Sequence, residues 1–231
     1  QDGADIVDIG GESSRPGAAP VPVSVECERV VPVVAVLADS GAPISVDTYH
    51  AETARESLAA GASVVNDITA LRGDPGMAGV VADAKCACIL MHMKGTPETM
   101  QAAPAYDDVV DEICAFFEER LTFATRAGIR EQALWLDPGF GFGKTAAHNL
   151  RILRRLNEFR RFGLPVVIGT SNKSTIGKVL DAEPDDRMEG NAATVAAGVC
   201  HGADMVRVHD VKAMARVARM TDAIVGKGAA S

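Results

Sequence analysis

Polar side chains stand at the ends of the short apolar runs of this sequence, where strands of a parallel sheet would finish. They are two carboxylates, an amide, a lysine, an arginine and two histidines: Asp47, Asn66, His92, Asp137, Lys173, Arg207 and His209. Carboxylates and an amide together can bind a ring that presents adjacent N–H donors and acceptors, and an ammonium can donate to a carbonyl oxygen or a ring nitrogen. The sequence therefore predicts that Asp47, Asn66, Asp137 and Lys173 face one ligand cavity, whereas His92 is assigned a structural role.

Arg207 and His209 are two residues apart on a predicted strand, so their side chains project the same way. A guanidinium beside an imidazole suits a mono- or diphosphate, and barrel proteins often bind phosphate near their last two strands, which here carry Lys173 and Arg207. Two alternatives stay open on the sequence: an ion pair between Arg207 and a neighbouring acid such as Asp210, and a purely structural His209. Asp210 itself precedes a helical run and is expected to cap it.

A glycine-rich segment follows the fifth predicted strand and reads Leu136-Asp137-Pro138-Gly139-Phe140-Gly141-Phe142-Gly143-Lys144. The proline has no N–H for a strand ladder, and the alternate glycines allow the backbone to lie close to a ligand. The segment is not a Walker A loop, because Pro138 replaces the first glycine, and it is not a dinucleotide fingerprint, because Lys144 replaces the third. It is interpreted as a strand tip that carries an acid and opens into a ligand-binding loop; a glycine-rich loop without a ligand is the alternative.

Composition excludes several classes of protein. The 231 residues carry 31 acidic and 23 basic side chains, a net charge of −8, without a Lys/Arg-rich run, so nucleic acid and acidic membrane surfaces are not expected partners. The longest apolar stretch, residues 30–38, is interrupted by Pro32 and is shorter than the ~20 residues that cross a bilayer. The five cysteines lack zinc-site spacing and show no disulfide pattern, so a cytoplasmic location is expected.

Strand-like and helix-like segments alternate along the chain. Predicted strands occupy residues 5–9, 44–47, 63–66, 87–91, 133–137, 165–169 and 205–208. Helical patterns occupy residues 24–39, 50–60, 75–84, 106–127, 147–161, 187–201 and 211–225. Gly-Ala pairs at 3–4, 61–62 and 202–203 stand directly before strands, where a glycine C-cap and a tight turn are needed. This alternation predicts a parallel α/β fold in one domain that spans residues 1–231.

The count of seven strands favours a closed barrel. A (β/α)8 TIM barrel has eight strands and about 250 residues, whereas an open doubly wound sheet would carry the nucleotide fingerprint that is absent here. The chain begins at Gln1 with what looks like the last turn of a helix. The expected fold class is therefore a (β/α)8 barrel whose first strand and most of whose first helix lie outside this sequence.

Seven segments, in this order, resemble the dihydropteroate synthase family, the folate-pathway enzymes that sulfonamides inhibit. They are residues 8–17, 45–48, 65–68, 91–92 with 95–97, 136–144, 169–177 and 207–211. The resemblance implies a pterin-binding barrel and a transferase that joins 6-hydroxymethyl-7,8-dihydropterin diphosphate to p-aminobenzoate and releases pyrophosphate. It also implies Mg²⁺ as a cofactor and a homodimer formed through barrel helices.

The resemblance assigns a role to each of ten residues. The pterin would be held by Asp47, Asn66, Asp137 and Lys173. The p-aminobenzoate would meet Ser14, Arg15, Phe142 and Ser171, the first two of which belong to a loop that closes over it. The diphosphate would meet Arg207 and His209. The residues expected to act in catalysis are Asp47, Lys173, Arg207 and His209.

The residue types agree with the chemistry that the resemblance implies. The C–O bond to the diphosphate is expected to break early and to leave a cationic methylene conjugated to the pterin. Stabilising the leaving group and placing the weakly basic aniline nitrogen would then dominate catalysis. Mg²⁺ would neutralise the diphosphate as a Lewis acid.

Two departures from the family bear on activity. Asn172 stands where the family has arginine, which removes a cation near the diphosphate, and an arginine placed there is expected to improve turnover or p-aminobenzoate affinity. The family's first loop carries an asparagine associated with Mg²⁺ and the diphosphate; it is expected to precede Gln1, so no residue of this sequence is assigned as a metal ligand. A barrel with unpaired strand edges is also expected to be less stable and prone to associate.

Two other functions remain open on the sequence. A methyltetrahydrofolate-binding barrel of the corrinoid methyltransferases shares the fold and the pterin pocket but binds no diphosphate, so Arg207 and His209 argue against it, as does the loop with Ser14 and Arg15. A non-catalytic pterin-binding homologue is kept open by Asn172. Pyrophosphate release that requires p-aminobenzoate would separate the synthase from both.

Overall fold

The computed structural model describes residues 2–15 and 17–226, and strands and helices alternate through them. The strands are β1 (Val7–Gly10), β2 (Ile44–Asp47), β3 (Val64–Asp67), β4 (Ala87–Met91), β5 (Leu134–Asp137), β6 (Val167–Ile168) and β7 (Met205–Val206). The α-helices are α1 (Val23–Ala38), α2 (Ala51–Ala59), α3 (Met77–Ala84), α4 (Val109–Arg126), α5 (Ala146–Arg154), α6 (Ser174–Leu180), α7 (Met188–Cys200) and α8 (Val211–Val225). Two 3₁₀ helices occupy Glu131–Ala133 and Leu156–Phe162.

The strands lie side by side in sequence order, and each pair is parallel. β1 to β5 form one continuous sheet, and β6 pairs with β7. A parallel bridge between Leu136 and Val166 joins the two groups, because Val166 directly precedes β6. Parallel strands in sequence order, each followed by at least one helix, form the arc of a TIM barrel, and their carboxyl ends meet at one mouth.

Side chains alternate between two faces of the strands, as the pleat requires. Val46, Leu90 and Leu136 are fully buried in the main core, between the strands and the helices. A second apolar cluster, which contains Val64, Ile89, Val167, Trp135 and Met205, fills the lower interior of the barrel. The polar residues of the mouth therefore lie above an apolar floor.

Helix α4 shows how the sequence defines these boundaries. Asp108 accepts hydrogen bonds from the N–H groups of Val110 and Asp111, which caps the first turn. Apolar residues at helical spacing, including Ile113 and Phe117, are fully buried. The helix therefore starts later than the predicted residue 106, at the first residue after a side chain that can cap it.

Several predicted boundaries change in the structure. The helical pattern at 147–161 divides into α5 and the 3₁₀ helix Leu156–Phe162, and β6 and β7 are two-residue strands. Helix α6 was not predicted, because it is only seven residues long and directly follows a polar loop. The glycines of the Gly-Ala turns do adopt positive φ: +93° at Gly3, +118° at Gly61 and +103° at Gly202. Through the described ranges, no helix combines the length and apolar character needed to cross a membrane.

Candidate functional site

Asn66 lies at the barrel mouth, on β3, and its side chain is fully buried. Within residues 2–15 and 17–226, neither its amide oxygen nor its amide nitrogen has a partner at normal hydrogen-bond geometry, although the side chain lies close enough to Asp47 to lower the pKa of that carboxyl. A buried amide without partners is unfavourable by about 1–3 kcal/mol for each unsatisfied group, and such groups are rare in folded proteins. The geometry therefore indicates a ligand that offers both a donor and an acceptor to Asn66.

Asp47 ends the neighbouring strand β2, in register with Asn66. Burial raises the pKa of this carboxyl to about 7, and the nearby charge of Asp8 adds to the increase, while Arg207 opposes it. The predicted neighbours Asp47 and Asn66 are thus brought together. A carboxyl with a pKa near neutrality changes readily from an acceptor to a donor.

Asp137 is the last residue of β5, and its side chain and its backbone carbonyl accept hydrogen bonds from different segments. One carboxylate oxygen accepts a hydrogen bond from the Gly139 N–H at 2.7 Å, and the backbone carbonyl accepts from His92 N–H at 2.9 Å. The side chain is buried, with 3% of its surface exposed. The Gly139 contact holds the acid in one orientation at the start of the glycine-rich loop.

Lys173 reaches the same mouth from the loop after β6. Its ammonium donates to the carbonyl oxygen of Phe140 and lies 4.5 Å from the centre of the Phe142 ring. Burial lowers the pKa of Lys173 to about 8, although the charge of Asp137 opposes this decrease. Phe142 itself packs against an apolar cluster of Ile68, Met91, Met93 and Met100, which forms a wall beside the polar groups.

Lys144, at the end of the glycine-rich segment, points into the protein and not into the mouth. Its ammonium lies 2.9 Å from three acceptors: His92 Nδ1, the Gly139 carbonyl and the Phe142 carbonyl. Burial lowers the pKa of the His92 imidazole well below its usual value, and the charge of Lys144 lowers it further, while burial also lowers the pKa of Lys144. A neutral imidazole with its proton on Nε2 accepts from Lys144 at Nδ1. Both residues hold the loop, in agreement with the structural role predicted for His92.

The alternate glycines of this loop are required by packing against protein backbone. All three have positive φ: +68° at Gly139, +89° at Gly141 and +64° at Gly143. A Cβ at Gly139 would collide with the carbonyl oxygen of His92, and one at Gly143 with that of Lys94. The close approach predicted for a ligand is thus made, at these two glycines, by the segment after β4.

Arg207 follows β7 and forms an ion pair with Asp8 of β1, with 3.2 Å between Nε and Oδ2. Asp210, the partner considered from the sequence, does not fill this role, and its side chain makes no cap hydrogen bond at the start of α8. Burial lowers the pKa of Arg207, but the charges of Asp8, Asp47 and Asp137 together leave it raised. The guanidinium is therefore a fixed positive charge among three acids.

His209 and Ser171 face each other across the ends of β6 and β7. His209 Nδ1 lies 2.8 Å from the Ser171 hydroxyl, which is buried with 7% exposure. The same hydroxyl oxygen accepts from the His209 N–H at 3.3 Å. The structure therefore brings Ser171, Lys173, Arg207 and His209 to one side of the mouth.

The loop after β1 carries Ser14, which is partly buried, and Arg15, which is exposed. Glu12 anchors both ends of this loop: its carboxylate accepts from Val21 N–H at 2.7 Å and from the Tyr49 hydroxyl at 2.6 Å. Ser14 and Arg15 thus lie on an exposed segment whose ends are fixed. Pro16, which the sequence pattern includes, lies outside the described residues.

Two contributors were missed from the sequence. Asp8 forms the ion pair with Arg207, and its position two residues before Gly10, on the same face of β1, could have indicated it. Glu26 of α1 is buried, and its Oε2 accepts from Thr48 and Thr53 hydroxyls at 3.1 and 2.7 Å. Because Thr48 follows Asp47, this buried acid fixes the loop at the end of β2.

Other features of the surface do not belong to this site. A hollow of about 550 Å³ lies along α4 and is lined by Arg120, Phe123 and Arg126, away from the strand ends. Among the residues that the structure describes, no cluster of three or more His, Cys, Asp and Glu side chains could hold a metal ion.

Comparison with known proteins identifies the family. The sequence profile of the pterin-binding enzymes matches residues 1–209. A dihydropteroate synthase from Synechocystis is 45% identical over 97% of this chain and 78% of its own length. The chain belongs to the dihydropteroate synthase family. Members of this family are transferases of folate biosynthesis, and the chain shares their TIM-barrel fold and that activity.

Solved structures of dihydropteroate synthases agree closely with this fold. The Yersinia pestis enzyme, solved with a sulfonamide drug, has a TM-score of 0.95 and 42% identity over 97% of this chain and 82% of its own. The Xanthomonas albilineans enzyme, solved with 4-aminobenzoic acid, has a TM-score of 0.91 and 44% identity over 96% and 80%.

Proposed function

We propose that the mouth of this barrel binds a dihydropterin diphosphate and p-aminobenzoate and joins them with release of pyrophosphate. The observation that carries the proposal is the buried Asn66, whose amide lacks both a donor and an acceptor partner. A pterin ring presents donors and acceptors side by side, so it can satisfy both atoms at once. An analogue without one of these groups would leave a buried partner unpaired and would be rejected.

The pterin would lie between Asp47, Asn66, Asp137 and Lys173. The carboxylates of Asp47 and Asp137 would accept from N–H groups of the ring, and the Lys173 ammonium would donate to a ring carbonyl or ring nitrogen. The apolar wall beside Phe142 supplies a surface for a flat ring. This arrangement fixes the ring before the reaction and keeps the methylene carbon near Arg207 and His209.

The diphosphate would lie against Arg207 and His209, which are the residues able to stabilise negative charge there. The bond between the methylene carbon and the diphosphate oxygen breaks, and the bonding pair leaves with pyrophosphate. The amine nitrogen of p-aminobenzoate then bonds to that carbon and releases one proton. Positioning and charge stabilisation would provide most of the acceleration, because the aniline nitrogen needs little activation.

The p-aminobenzoate would be held by the outer part of the mouth. Ser171 would meet its carboxylate, Phe142 would flank its ring, and Ser14 with Arg15 would close over it. Two observations support this assignment: the loop after β1 is anchored at both ends by Glu12, and Ser171 is already oriented by His209. Closure of such a loop would exclude water from the cationic methylene.

Magnesium dependence is a separate proposal. The described residues offer no cluster of three or more His, Cys, Asp and Glu side chains for a metal ion, so no residue of this chain is proposed as a Mg²⁺ ligand. Because a diphosphate carries several negative charges, Mg²⁺ would bind the substrate itself as a Lewis acid. Pyrophosphate release measured in MgCl₂ and in EDTA tests this; equal rates would remove Mg²⁺ from the reaction.

The decisive experiment is an assay of pyrophosphate release from 6-hydroxymethyl-7,8-dihydropterin diphosphate, with and without p-aminobenzoate. Release that requires p-aminobenzoate supports the synthase assignment. A folded protein that binds the pterin but releases nothing would be a non-catalytic homologue. Methyl transfer from methyltetrahydrofolate, measured in parallel, tests the corrinoid methyltransferase alternative.

Three further properties are proposed with the same activity. Sulfonamides should inhibit in competition with p-aminobenzoate, since both would occupy the outer part of the mouth. A cytoplasmic location fits the five free cysteines. A homodimer through barrel helices fits the exposed apolar side chains of Val179, Leu180 and Met188 on α6 and α7, and light scattering after gel filtration measures it.

A further inference from the structure

Successive side chains of the loop after β6 point in opposite directions, and the side chains on both sides have hydrogen-bond partners. Ser171 and Lys173 face the mouth of the barrel, whereas Thr170 and Asn172 face helix α7. The Thr170 hydroxyl lies 2.9 Å from the Thr194 hydroxyl. The side chains that would meet substrate are therefore interleaved with side chains that are fixed from behind.

Asn172 is held through its backbone and its side chain together. Its N–H donates to Asn191 Oδ1 at 2.9 Å, its Oδ1 accepts from Asn191 Nδ2 at 2.7 Å, and its carbonyl accepts from Arg187 at 2.8 Å. The residue has φ of +56°, a conformation that asparagine adopts more readily than most residues. Asn191 is buried, with 1% exposure, so its paired amide is shielded from water.

The three residues that hold the loop share one face of helix α7. Arg187, at its N-cap, Asn191 and Thr194 are separated by four and three positions, which places them in one line along the helix. Gly190 lets α7 pack closely on α6, because a Cβ there would collide with Ile176. The helix thus presents a continuous polar ridge to the back of the loop.

We propose that Asn172 and Asn191 form a positioning pair that fixes Lys173 and Ser171 in the orientation needed for the synthase reaction. The proposal rests on the proposed function and deepens it. Neither asparagine would touch substrate; each would act through the residues on either side of Asn172. The pair also determines how the structure would accommodate an arginine at position 172, the residue that the family carries there. Here an arginine would need a strained φ and would leave the buried Nδ2 donor of Asn191 without its acceptor, so the structure argues against the gain in turnover that the sequence led us to expect from an arginine.

The test is a double-mutant cycle on the whole chain with Asn191→Leu and Asn172→Gly. The leucine removes both hydrogen bonds of the pair, and the glycine removes the side-chain bond while it keeps the backbone conformation. Each variant should lower kcat/KM at least about tenfold, and the double variant should be no worse than Asn191→Leu, because the two act as a unit. Amide hydrogen exchange at position 172 should accelerate in Asn191→Leu and in the double variant, and exchange at Lys173 should accelerate in all three.

Val195→Ala is the matched control, since Val195 is buried on the same helix but makes no hydrogen bond to the loop. It should lower the melting temperature and leave exchange at Asn172 and kcat/KM near their wild-type values. The proposal is overturned if Asn191→Leu keeps wild-type exchange, if exchange accelerates while kcat/KM is unchanged, or if Val195→Ala loses as much kcat/KM. A wild-type protein without p-aminobenzoate-dependent release would instead overturn the proposed function, and the exchange data would still decide whether the pair fixes the loop.

Discussion

The two carboxylate oxygens of Asp137 have different roles, one in the fold and one at the mouth of the barrel. One oxygen accepts the Gly139 N–H at 2.7 Å, which leaves the other oxygen for a ligand. An asparagine at this position can keep that backbone bond only by turning its NH₂ group toward the ligand. There it would oppose the ring N–H groups that a carboxylate accepts.

We therefore expect Asp137→Asn to weaken binding of the pterin diphosphate by roughly 2–3 kcal/mol, the upper part of the range for a hydrogen bond to a charged group. Isothermal titration calorimetry of the folded variant measures this. The matched control is Asp67→Asn, because both oxygens of Asp67 accept from Thr69 and Leu71 of its own loop. It should lower the free energy of unfolding with little effect on affinity. Unchanged affinity in Asp137→Asn would remove that residue from the pocket.

Two neighbouring groups at the mouth titrate in the neutral range. The pKa of Asp47 is raised to about 7 and that of Lys173 is lowered to about 8, in both cases mainly by burial. Below the lower value Asp47 gains a proton and stops accepting, and above the higher value Lys173 loses its charge. Pterin affinity should therefore be greatest between about pH 7 and 8 and fall on both sides.

Calorimetry across this pH range checks the prediction, and single variants assign each limb. Asp47→Asn should remove the fall in pterin affinity at low pH, and Lys173→Gln should remove the fall at high pH. Both variants should also bind the pterin more weakly than the wild type. A profile that is flat from pH 6 to 9 would contradict the assignment. Lys173 should also affect the stability of the protein without ligand. Its pKa is about 8 in the folded protein and 10.5 ordinarily, so between these two pH values the unfolded state binds more protons. The free energy of unfolding should therefore rise with pH over this range.

At the scale of elements, the glycine-rich loop connects β5 to α5 and carries Asp137, Phe142 and Lys144. Its shape depends on glycines with positive φ packed against the segment after β4, and on the buried ammonium that binds three acceptors. The loop is thus a rigid support for the acid at its start. Changes in its backbone should alter pterin binding even where the side chain changed does not face the mouth.

Gly139→Ala tests this against Gly163→Ala. Both glycines have nearly the same φ, +68° and +67°, but a Cβ at Gly163 has nothing within 4 Å, whereas one at Gly139 meets the His92 carbonyl. Both variants should lose about 1 kcal/mol of stability from the strained φ, and Gly139→Ala should lose more, because its Cβ must displace the His92 carbonyl. Only Gly139→Ala should also lose pterin affinity, by tenfold or more, because the acid beside it is displaced. Equal affinities in the two variants would show that the loop adapts.

At the scale of the molecule, Asp8 and Arg207 connect β1 to the end of β7 across the barrel. This pair lies on the inner face of the strands, and its side chains are only 26% and 30% exposed. It links the two ends of the described arc of strands and also places the guanidinium at the mouth. We propose that the whole chain, residues 1–231, forms one domain, with this contact as part of its closure.

A double-mutant cycle with Asp8→Asn and Arg207→Gln measures the contact. The coupling energy in urea unfolding should be about 1–2 kcal/mol, more than an exposed ion pair gives, because both groups are partly desolvated. Coupling within error of zero would mean that Asp8 and Arg207 contribute separately. The change in the single variants should also depend weakly on salt, which distinguishes this pair from exposed pairs such as Lys94 with Glu112.

The sequence by itself determined the order of the strands, the barrel class and the family. The apolar pattern of a strand reflects local geometry, and it also shows where each strand ends. Asp47, Asn66 and Asp137 stand at such ends, which was enough to place them at one mouth of a parallel barrel. Positive φ at the Gly-Ala turns followed from residue type alone. These features depend on neighbours in sequence.

Tertiary structure decided which partners the polar groups have. Lys144 points inward, Arg207 pairs with Asp8 in place of Asp210, and Asn172 is paired with Asn191 nineteen positions away. Helix α6 forms where its seven residues carry little local pattern, because α7 packs against it at Gly190. Such choices depend on which of several charged or amide groups lie within hydrogen-bond distance after the chain has closed, and sequence spacing carries no record of those distances.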